Sequence, residues 1–261
     1  MKIIVRNRGL LWELVKRDFL TRYKGSVLGI AWSLFTPIMM LAIYTFVFSV
    51  AFNARWGVDT ENRVSFAIVL FSGLIVHGLF SECILRAPML ITSNPNYAKK
   101  VIFPLEILPF VSIGTALGQF CISFCVLLAF CLVSLTPIHW TGWLIPVVLL
   151  PLVFMLLGFG FFLSATGVYI RDLAQAVGMI ATIALFVAPI FYPISVLPPA
   201  YQNVLFFNPI TLPVIQLRNV LLWGEPLNWV AWAISLLIGI AIFCLGFMWF
   251  QKTKRGFADV L

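Results

Sequence analysis

The chain has 261 residues, of which 62% are hydrophobic. It contains only 17 Lys or Arg and 9 Asp or Glu residues, and its formal net charge is +8. Roughly a quarter of the residues of a soluble domain are charged. This composition therefore excludes an ordinary soluble domain, because too few charges are present to cover a surface that faces water. We expect an all-α integral membrane protein.

Segments without Asp, Glu, Lys or Arg mark the candidate membrane spans. A spanning helix needs roughly 20 apolar residues, and a charge at the bilayer centre costs about 2.5–3.5 kcal/mol on insertion scales. The uncharged segments are 33–54, 64–81, 107–170, 173–217 and 226–251. The first, second and last each correspond to one span, and the third is divided into two by a polar break at 134–142. The fourth is ambiguous by length between one crossing and two.

The distribution of basic residues resolves this ambiguity, because cytoplasmic loops are enriched in Lys and Arg. If the N-terminus is inside and the fourth segment crosses once, all of the 17 basic residues are cytoplasmic except Arg55, Arg63 and Arg218. Two crossings would place the basic C-terminal tail outside. The pattern therefore predicts six transmembrane helices with both termini cytoplasmic. The predicted spans are 33–54, 64–84, 107–133, 143–166, 173–195 and 228–250.

The second half of the fourth segment must then return on the outer side. It is rich in proline, which interrupts helices because it lacks an N–H group and clashes with the preceding turn. Interrupted backbone at membrane depth is tolerated where it is buried in protein or lines a wet cavity. We predict a Pro-broken re-entrant hairpin at 196–223, between spans five and six, and it indicates a transport pathway. The alternative is a loop on the outer surface. The prolines concerned are Pro189, Pro193, Pro198, Pro199, Pro209 and Pro213.

The two terminal segments of the chain are predicted to be cytoplasmic. Residues 1–32 form an interface segment, 33–251 the transmembrane domain and 252–261 a tail. In the first of these, Leu11, Val15, Phe19 and Tyr23 recur every four positions, which is typical of an amphipathic helix at the membrane interface. The alternative is a plain basic anchor for span one.

The longest predicted cytoplasmic connection, residues 85–106, has two interpretations. A loop of this length is often functional, which favours docking of a partner. The alternative is that its positive charge only sets the topology of the chain.

Several kinds of chemistry are missing from the sequence. It has no G-x-x-x-x-G-K-[ST] phosphate loop and no Asp/Glu pair inside a span, where ion-coupled transporters hold their ions. A transporter of this kind needs a partner as its energy source. His77 is predicted to be hydrogen-bonded within the bundle. Ser72 and Gly73 precede it, but without a G-x-S-G motif they do not predict an intramembrane protease. We expect no catalytic residue, no metal site and no cofactor on this chain.

Six segments together resemble one family, the Wzm-type permeases of polysaccharide ABC exporters. Single pieces are short, but they occur in family order over nearly the whole chain. One departure is Ile102, where the family more often has Tyr before Phe103. The matching segments are 14–32 (LVKRDFLTRYKGSVLGIAW), 99–109 (KKVIFPLEILP), 168–173 (VYIRDL), 188–193 (APIFYP), 207–210 (FNPI) and 254–260 (KRGFADV).

This resemblance implies a homodimeric permease of the bacterial inner membrane that encloses a channel, with two copies of a nucleotide-binding ABC ATPase docked below. ATP and magnesium are then expected on the partner ATPase. The membrane lipids surround the permease, and no nucleic-acid partner is expected. The resemblance also implies an ATPase interface on the N-terminal helix, the 85–106 loop and a short loop before span five. The residues concerned are Asp18, Arg22, Asn94, Tyr97, Lys99, Lys100, Arg171 and Asp172.

Spans one and five line the channel in the family, which implies a role for Tyr44, Phe48, Phe191 and Tyr192. Aromatic rings stack on the C–H faces of sugars, whereas packing against lipid or other helices is the alternative. The implied substrate is a long glycan on a polyprenyl lipid carrier, with O antigen favoured over capsular polysaccharide or teichoic acid. A membrane enzyme of lipid-linked glycan synthesis and a non-transporting scaffold remain alternatives from other classes.

Overall fold

The structure, a computed structural model, describes residues 7–47, 63–95 and 103–260, with the side chains of 63–65, 258 and 259 left out. Within these ranges the regular structure is entirely helical, which confirms the predicted all-α class. Four helices are long and apolar enough to cross a membrane, and two shorter ones are apolar. The helices are α1 (Arg8–Thr21), α2 (Ala31–Tyr44), α3 (Arg63–Arg86), α4 (Ile107–Val133), α5 (Ile145–Tyr169), α6 (Leu173–Val187), α7 (Pro199–Leu205), α8 (Thr211–Arg218), α9 (Trp229–Thr253) and α10 (Phe257–Val260).

The four long apolar helices are α3, α4, α5 and α9, and they agree with predicted spans two, three, four and six. Helix α2 corresponds to span one and is followed by a short π-helical stretch to Val47. The rest of span one, including Phe48, lies outside the described residues. Large apolar side chains such as Leu237 and Leu245 are exposed on α9. Such a surface is unfavourable in water and ordinary against lipid.

Helices α5 and α9 are packed closely along glycines. A Cβ atom at Gly246 would lie 2.1 Å from the carbonyl oxygen of Gly158, and one at Gly239 would lie 2.7 Å from that of Pro151. Apolar side chains gain little from leaving lipid for protein, so membrane helices associate through close backbone contact at small residues. These glycines therefore let the fourth and sixth predicted spans form one tightly packed pair.

The N-terminal helix α1 packs against protein with its apolar side. Leu14 is buried with Ile107 and Val111, and Leu11 and Val15 pack around them. A Cβ atom at Gly114 of α4 would lie 2.7 Å from Cγ2 of Val15. The predicted helix is present, and its apolar stripe contacts the start of α4.

Helix α6 is too short to cross a membrane by itself. Its 15 residues extend about 22 Å at 1.5 Å per residue, compared with a hydrocarbon core of roughly 30 Å. Span five was predicted to continue to residue 195, but α6 ends at Val187. The reason is that Pro189 disfavours helical backbone in the residue before it, Ala188. The chain then forms a 3-10 turn at Ile194–Val196, helices α7 and α8, and a π-helical stretch at Asn219–Trp223.

Candidate functional site

Four charged side chains meet where α1 packs beside the end of α3, the predicted cytoplasmic end of the bundle. We call Asp18, Arg22, Glu82 and Arg86 the charge cluster. Nη2 of Arg86 lies 2.8 Å from both carboxylate oxygens of Asp18, and Arg22 is ion-paired with Glu82. Weaker contacts at 3.8 and 3.9 Å complete the cluster. Two acids and two bases alternate, so the cluster is electrically balanced and joins α1 to α3.

The charge cluster is partly shielded from solvent. The four side chains are between 20% and 32% exposed. Fully exposed pairs contribute about 0–1 kcal/mol, whereas removal of one partner from a shielded pair leaves the other charge without compensation. The cluster is therefore suited to hold α1 in one orientation on α3.

A small cavity of about 200 Å³ lies beside the charge cluster, lined by Asp18, Arg86 and Asn94 among others. The side-chain amide of Asn94 donates to the carbonyl oxygen of Leu90, at 3.0 Å. Asp18 and Asn94 thus line one cavity, and Arg22 lies 3.8 Å from Asp18, so these three predicted interface residues are neighbours. Tyr97, Lys99 and Lys100 lie outside the described residues.

Arg171 and Asp172 lie in the short connection between α5 and α6, and both are exposed. The end of α5 contacts the residues that follow α3, because a Cβ atom at Gly167 would lie 2.1 Å from the carbonyl oxygen of Pro88. This connection is therefore at the same end of the bundle as the charge cluster. Arg171 and Asp172 therefore add an exposed segment to the end of the bundle that carries the charge cluster.

A second ion pair fastens the end of α9 to the start of α4. Nζ of Lys254 lies 2.8 Å from Oε1 of Glu106, and the amide of Gln251 donates to the same oxygen at 3.0 Å. The Glu106 residue is only 4% exposed. Burial raises the pKa of this carboxyl, but the hydrogen bonds from Lys254 and Gln251 outweigh burial and leave the pKa below its ordinary value.

At the end of α6 near Val187, three side chains bind backbone carbonyl groups of the last turn of the helix and of the chain after it. The Tyr192 hydroxyl donates to the carbonyl oxygens of Phe186 and Val187, at 3.2 and 3.1 Å. The Asn208 amide donates to that of Ala184, at 2.8 Å. The third is Arg218, whose guanidinium donates to that of Pro189, at 2.6 Å. These bonds pair backbone carbonyl groups where the helix is interrupted, and unpaired backbone groups cost several kcal/mol each in a lipid environment.

The aromatic candidates for the channel have mixed surroundings. Tyr44 is half-buried and lines a cavity of about 240 Å³ between α2, α3 and α4. Phe191 is half-buried and its ring stacks on Phe186, with ring centroids 5.8 Å apart. Tyr192 is half-buried with its hydroxyl bound to α6. Phe48 is outside the described residues. Of the described residues, Tyr44 lies in α2, whereas Phe191 and Tyr192 lie after the end of α6, outside the helix that corresponds to predicted span five.

A comparison with known protein families decides the class of the molecule. The family model for the ABC-2 type transporter matches residues 9–222. The chain belongs to the ABC-2 type transporter family. This membership confirms the predicted class, a membrane transport protein, over a membrane enzyme.

Individual relatives of this ABC-2 family member carry the name O-antigen export system permease protein RfbA. Two from Klebsiella pneumoniae are 26% and 25% identical to it over 98% of its chain and 97% of theirs. A third, from Myxococcus xanthus, is 30% identical over 72% of this chain and 70% of its own. The similarity thus extends over both ends of the helical bundle.

Sequence reasoning missed several residues of this ABC-2 family member. Glu82 is not among the predicted site residues, although its spacing of four from Arg86 is a typical helical ion-pair signal. Arg218 was assigned to the outer side from charge counting, whereas its side chain is 2% exposed inside the protein. The sequence signal for Arg218 is that it stands between two long uncharged segments, 173–217 and 226–251. Charged residues within a membrane domain are rare and are often functional. His77 is hydrogen-bonded within the bundle as predicted, with Nε2 3.1 Å from the carbonyl oxygen of Ala181.

Proposed function

We propose that this chain is the membrane-spanning subunit of an ABC exporter that moves lipid-linked polysaccharide, O antigen in particular, across the bacterial inner membrane. The observation that carries the proposal is its similarity over 98% of the chain to O-antigen export permeases. A separate ATPase subunit supplies the energy, because the sequence contains no phosphate loop. ATP and magnesium are bound by that subunit, and this chain needs no cofactor.

The topology in this proposal has six spans, with both termini in the cytoplasm. The four long apolar helices and the two shorter ones support it, since their order and positions follow the predicted spans. Residues 196–223 form the re-entrant hairpin. Its support is that α6, with 15 residues, is shorter than a full crossing and that Asn208 and Arg218 of the hairpin bind backbone carbonyl groups at its end. A loop lying on the outer surface would not need such bonds.

Force from the ATPase enters through α1 and the cytoplasmic loops. Closure of two ATPase subunits around ATP pushes the surface formed by Asp18, Arg22, Asn94, Arg171 and Asp172, together with Tyr97, Lys99 and Lys100. The charge cluster then carries the displacement from α1 to α3, because its ion pairs make the two helices one mechanical unit. Such coupling requires that the ATPase contact the permease differently in its open and closed states. Closure of the docked ATPase subunits around ATP provides this difference.

Two copies of the chain enclose the glycan path at the dimer axis. Tyr44, Phe48, Phe191 and Tyr192 line it and stack weakly on successive sugars, which lets a long polymer slide without tight binding. The polyprenyl carrier stays in the surrounding lipid. Capsular polysaccharide and teichoic acid have the same requirements for a channel, so they are the alternative substrates.

Deletion of the gene and localisation of the polymer test the proposal. In the deletion strain, lipid-linked polysaccharide should accumulate on the cytoplasmic side of the inner membrane. The wild-type gene should restore surface polymer only together with an intact ATPase partner. Normal surface polymer in the deletion strain would contradict export of that glycan, and complete loss of polymer would favour an enzyme of its synthesis.

A further inference from the structure

The side chain of Arg218 connects three parts of the chain at one point. Its Nε and Nη2 donate to the carbonyl oxygen of Val69 on α3, at 3.1 and 2.9 Å. Nη1 and Nη2 donate to the carbonyl oxygens of Pro189 and Ile190 beyond the end of α6, at 2.6 and 3.1 Å. The residue itself is the last of α8, in the predicted hairpin. One planar guanidinium thus fastens the hairpin and the interrupted end of α6 to α3.

Helix α3 is shaped to receive this guanidinium. The hydroxyl of Ser72 accepts from Nε of Arg218 at 3.3 Å. Gly73 provides the space beside it, because a Cβ atom there would lie 2.7 Å from Nη2 of Arg218 and 3.2 Å from the side chain of Ile190. Ser72 and Gly73 therefore form the part of α3 against which the buried Arg218 side chain packs.

The anchored segment leads directly to the candidate channel aromatics. Phe191 and Tyr192 follow the two carbonyl groups that Arg218 holds, and the Tyr192 hydroxyl is bound to the end of α6. Arg218 therefore ties the backbone directly before both rings to α3. Helix α3 in turn ends in the charge cluster, at the opposite end of the bundle.

We propose that Arg218 is a positioning residue that holds the outer closure of the channel, formed by Phe191 and Tyr192, against α3. This closure, formed by Phe191 and Tyr192, blocks the channel at rest. During transport α3 moves, and the Arg218 contact makes the closure move with it. The inference rests on the proposed export function and adds to it how the outer end is controlled. Arginine suits this role because its rigid fork of five donors satisfies several carbonyl groups at once.

The sharpest test introduces one methyl group on α3. Gly73→Ala keeps Arg218, and alanine is the better helix former by about 1 kcal/mol, so α3 itself is not weakened. The added methyl displaces the guanidinium and Ile190. Gly78→Ala is the matched control, because it lies on the same helix and a Cβ atom there meets nothing within 4 Å.

The measurement is the potassium leak of vesicles that contain the purified exporter with its ATPase, without ATP or polysaccharide. We expect Gly73→Ala to raise the leak about 5-fold or more above wild type, a change typical of a coupling between two states, with Gly78→Ala unchanged. Vesicles with Gly73→Ala that are as tight as wild type, together with wild-type export in cells, would overturn the inference.

A second variant separates positioning from general damage. Arg218→Lys keeps the positive charge but loses the fork and the Nη2 atom that the new methyl would touch. It should leak by itself, and Gly73→Ala added to it should increase the leak no further, because both changes break the same contact. If the leak caused by Gly73→Ala multiplied the leak caused by Arg218→Lys, the two residues would act independently, and the positioning role of Arg218 would be refuted. Failure of wild type to export would instead refute the proposed function, since the leak is measured without substrate.

Discussion

Nη2 of Arg86 is 2.8 Å from each carboxylate oxygen of Asp18, and the two residues are 68 positions apart in the sequence. Asp18 is on α1 and Arg86 is the last residue of α3. The contact therefore ties a helix outside the predicted spans to one inside them. In an exporter whose ATPase is a separate chain, such a tie is needed to pass movement from the docking surface to the membrane helices.

The charge cluster predicts a charge-reversal result. Asp18→Arg should lower polymer export by about 5- to 150-fold, the range of ordinary coupling energies, because three positive charges would then meet at the cluster. The pair Asp18→Arg with Arg86→Asp should recover a large part of the loss. Export is measured as surface polymer per assembled complex. Glu13→Gln, on the exposed side of α1, is the control and should export normally.

A failure of the double variant to recover export, with both proteins assembled, would show that Asp18 acts through another partner. Binding of the ATPase subunit should be retained in the double variant. Loss of ATPase binding in the double variant would show that the docking contact itself requires the Asp18 carboxylate, beyond its ion pair with Arg86.

The channel aromatics predict slower export without loss of assembly. Tyr44→Ala removes a half-buried ring from the cavity between α2, α3 and α4, and polymer export should slow because one stacking surface is lost. Tyr192→Phe keeps the ring and removes only the hydroxyl that binds Phe186 and Val187. Surface polymer should be measured beside dimer and ATPase recovery for both variants, and for Tyr192→Ala.

These variants distinguish stacking from anchoring at residue 192. Export close to wild type in Tyr192→Phe but slow in Tyr192→Ala would assign the effect to the ring. Equal slowing in both would assign it to the hydroxyl and the end of α6. Unchanged export in Tyr44→Ala and Tyr192→Ala would remove both residues from the channel.

The Glu106 carboxylate predicts an acid-sensitive contribution to stability. Its folded pKa lies below the ordinary value, so at acidic pH the folded state binds fewer protons at this carboxyl than the unfolded state does. The contribution is complete above the ordinary glutamate pKa of about 4.3 and is lost as pH falls through the lower folded value. Glu106→Gln should melt lower at neutral pH and should lose less stability on acidification.

The measurement is the melting temperature of the detergent-solubilised protein from neutral pH down to about pH 3, the region in which carboxylates titrate. Glu13→Gln, whose side chain is exposed, should follow the wild-type curve. Parallel curves for wild type and Glu106→Gln would contradict the assigned role of the Lys254 contact.

The glycine contact between α5 and α9 predicts a loss of stability. Gly246→Ala would place a Cβ atom 2.1 Å from the Gly158 carbonyl oxygen, and the two helices would have to separate. Overpacking of this kind costs about 1–3 kcal/mol or more, which lowers the melting temperature by about 2–4 °C per kcal/mol in a protein of this size. Gly160→Ala is the control, because a Cβ atom there would lie 3.6 Å from Cβ of Pro109, which is an ordinary contact distance. Equal melting of both variants would contradict close packing at Gly246.

The sequence by itself determined the class of the protein and the order of its helices. Long uncharged apolar segments require a membrane, and the proline-rich sequence after Val187 predicts that the helix is interrupted there. The same local rules predicted an N-terminal helix with Leu11 and Val15 on one side. They act between neighbours along the chain and so are visible without a fold. The family motifs, likewise local, pointed to the transporter class that the comparison confirmed.

Only the tertiary structure decided which distant groups meet. Asp18 and Arg86, Glu106 and Lys254, and Arg218 and Val69 are each separated by more than sixty residues. Periodicity and charge counting carry no information on such pairs, because a charge near a span end looks the same whether water or an opposite charge lies beside it. For Arg218 the difference is decisive. The burial of its charge is compensated by the carbonyl oxygens of Val69 on α3 and of Pro189 and Ile190 beyond the end of α6, and only the folded chain brings these groups together.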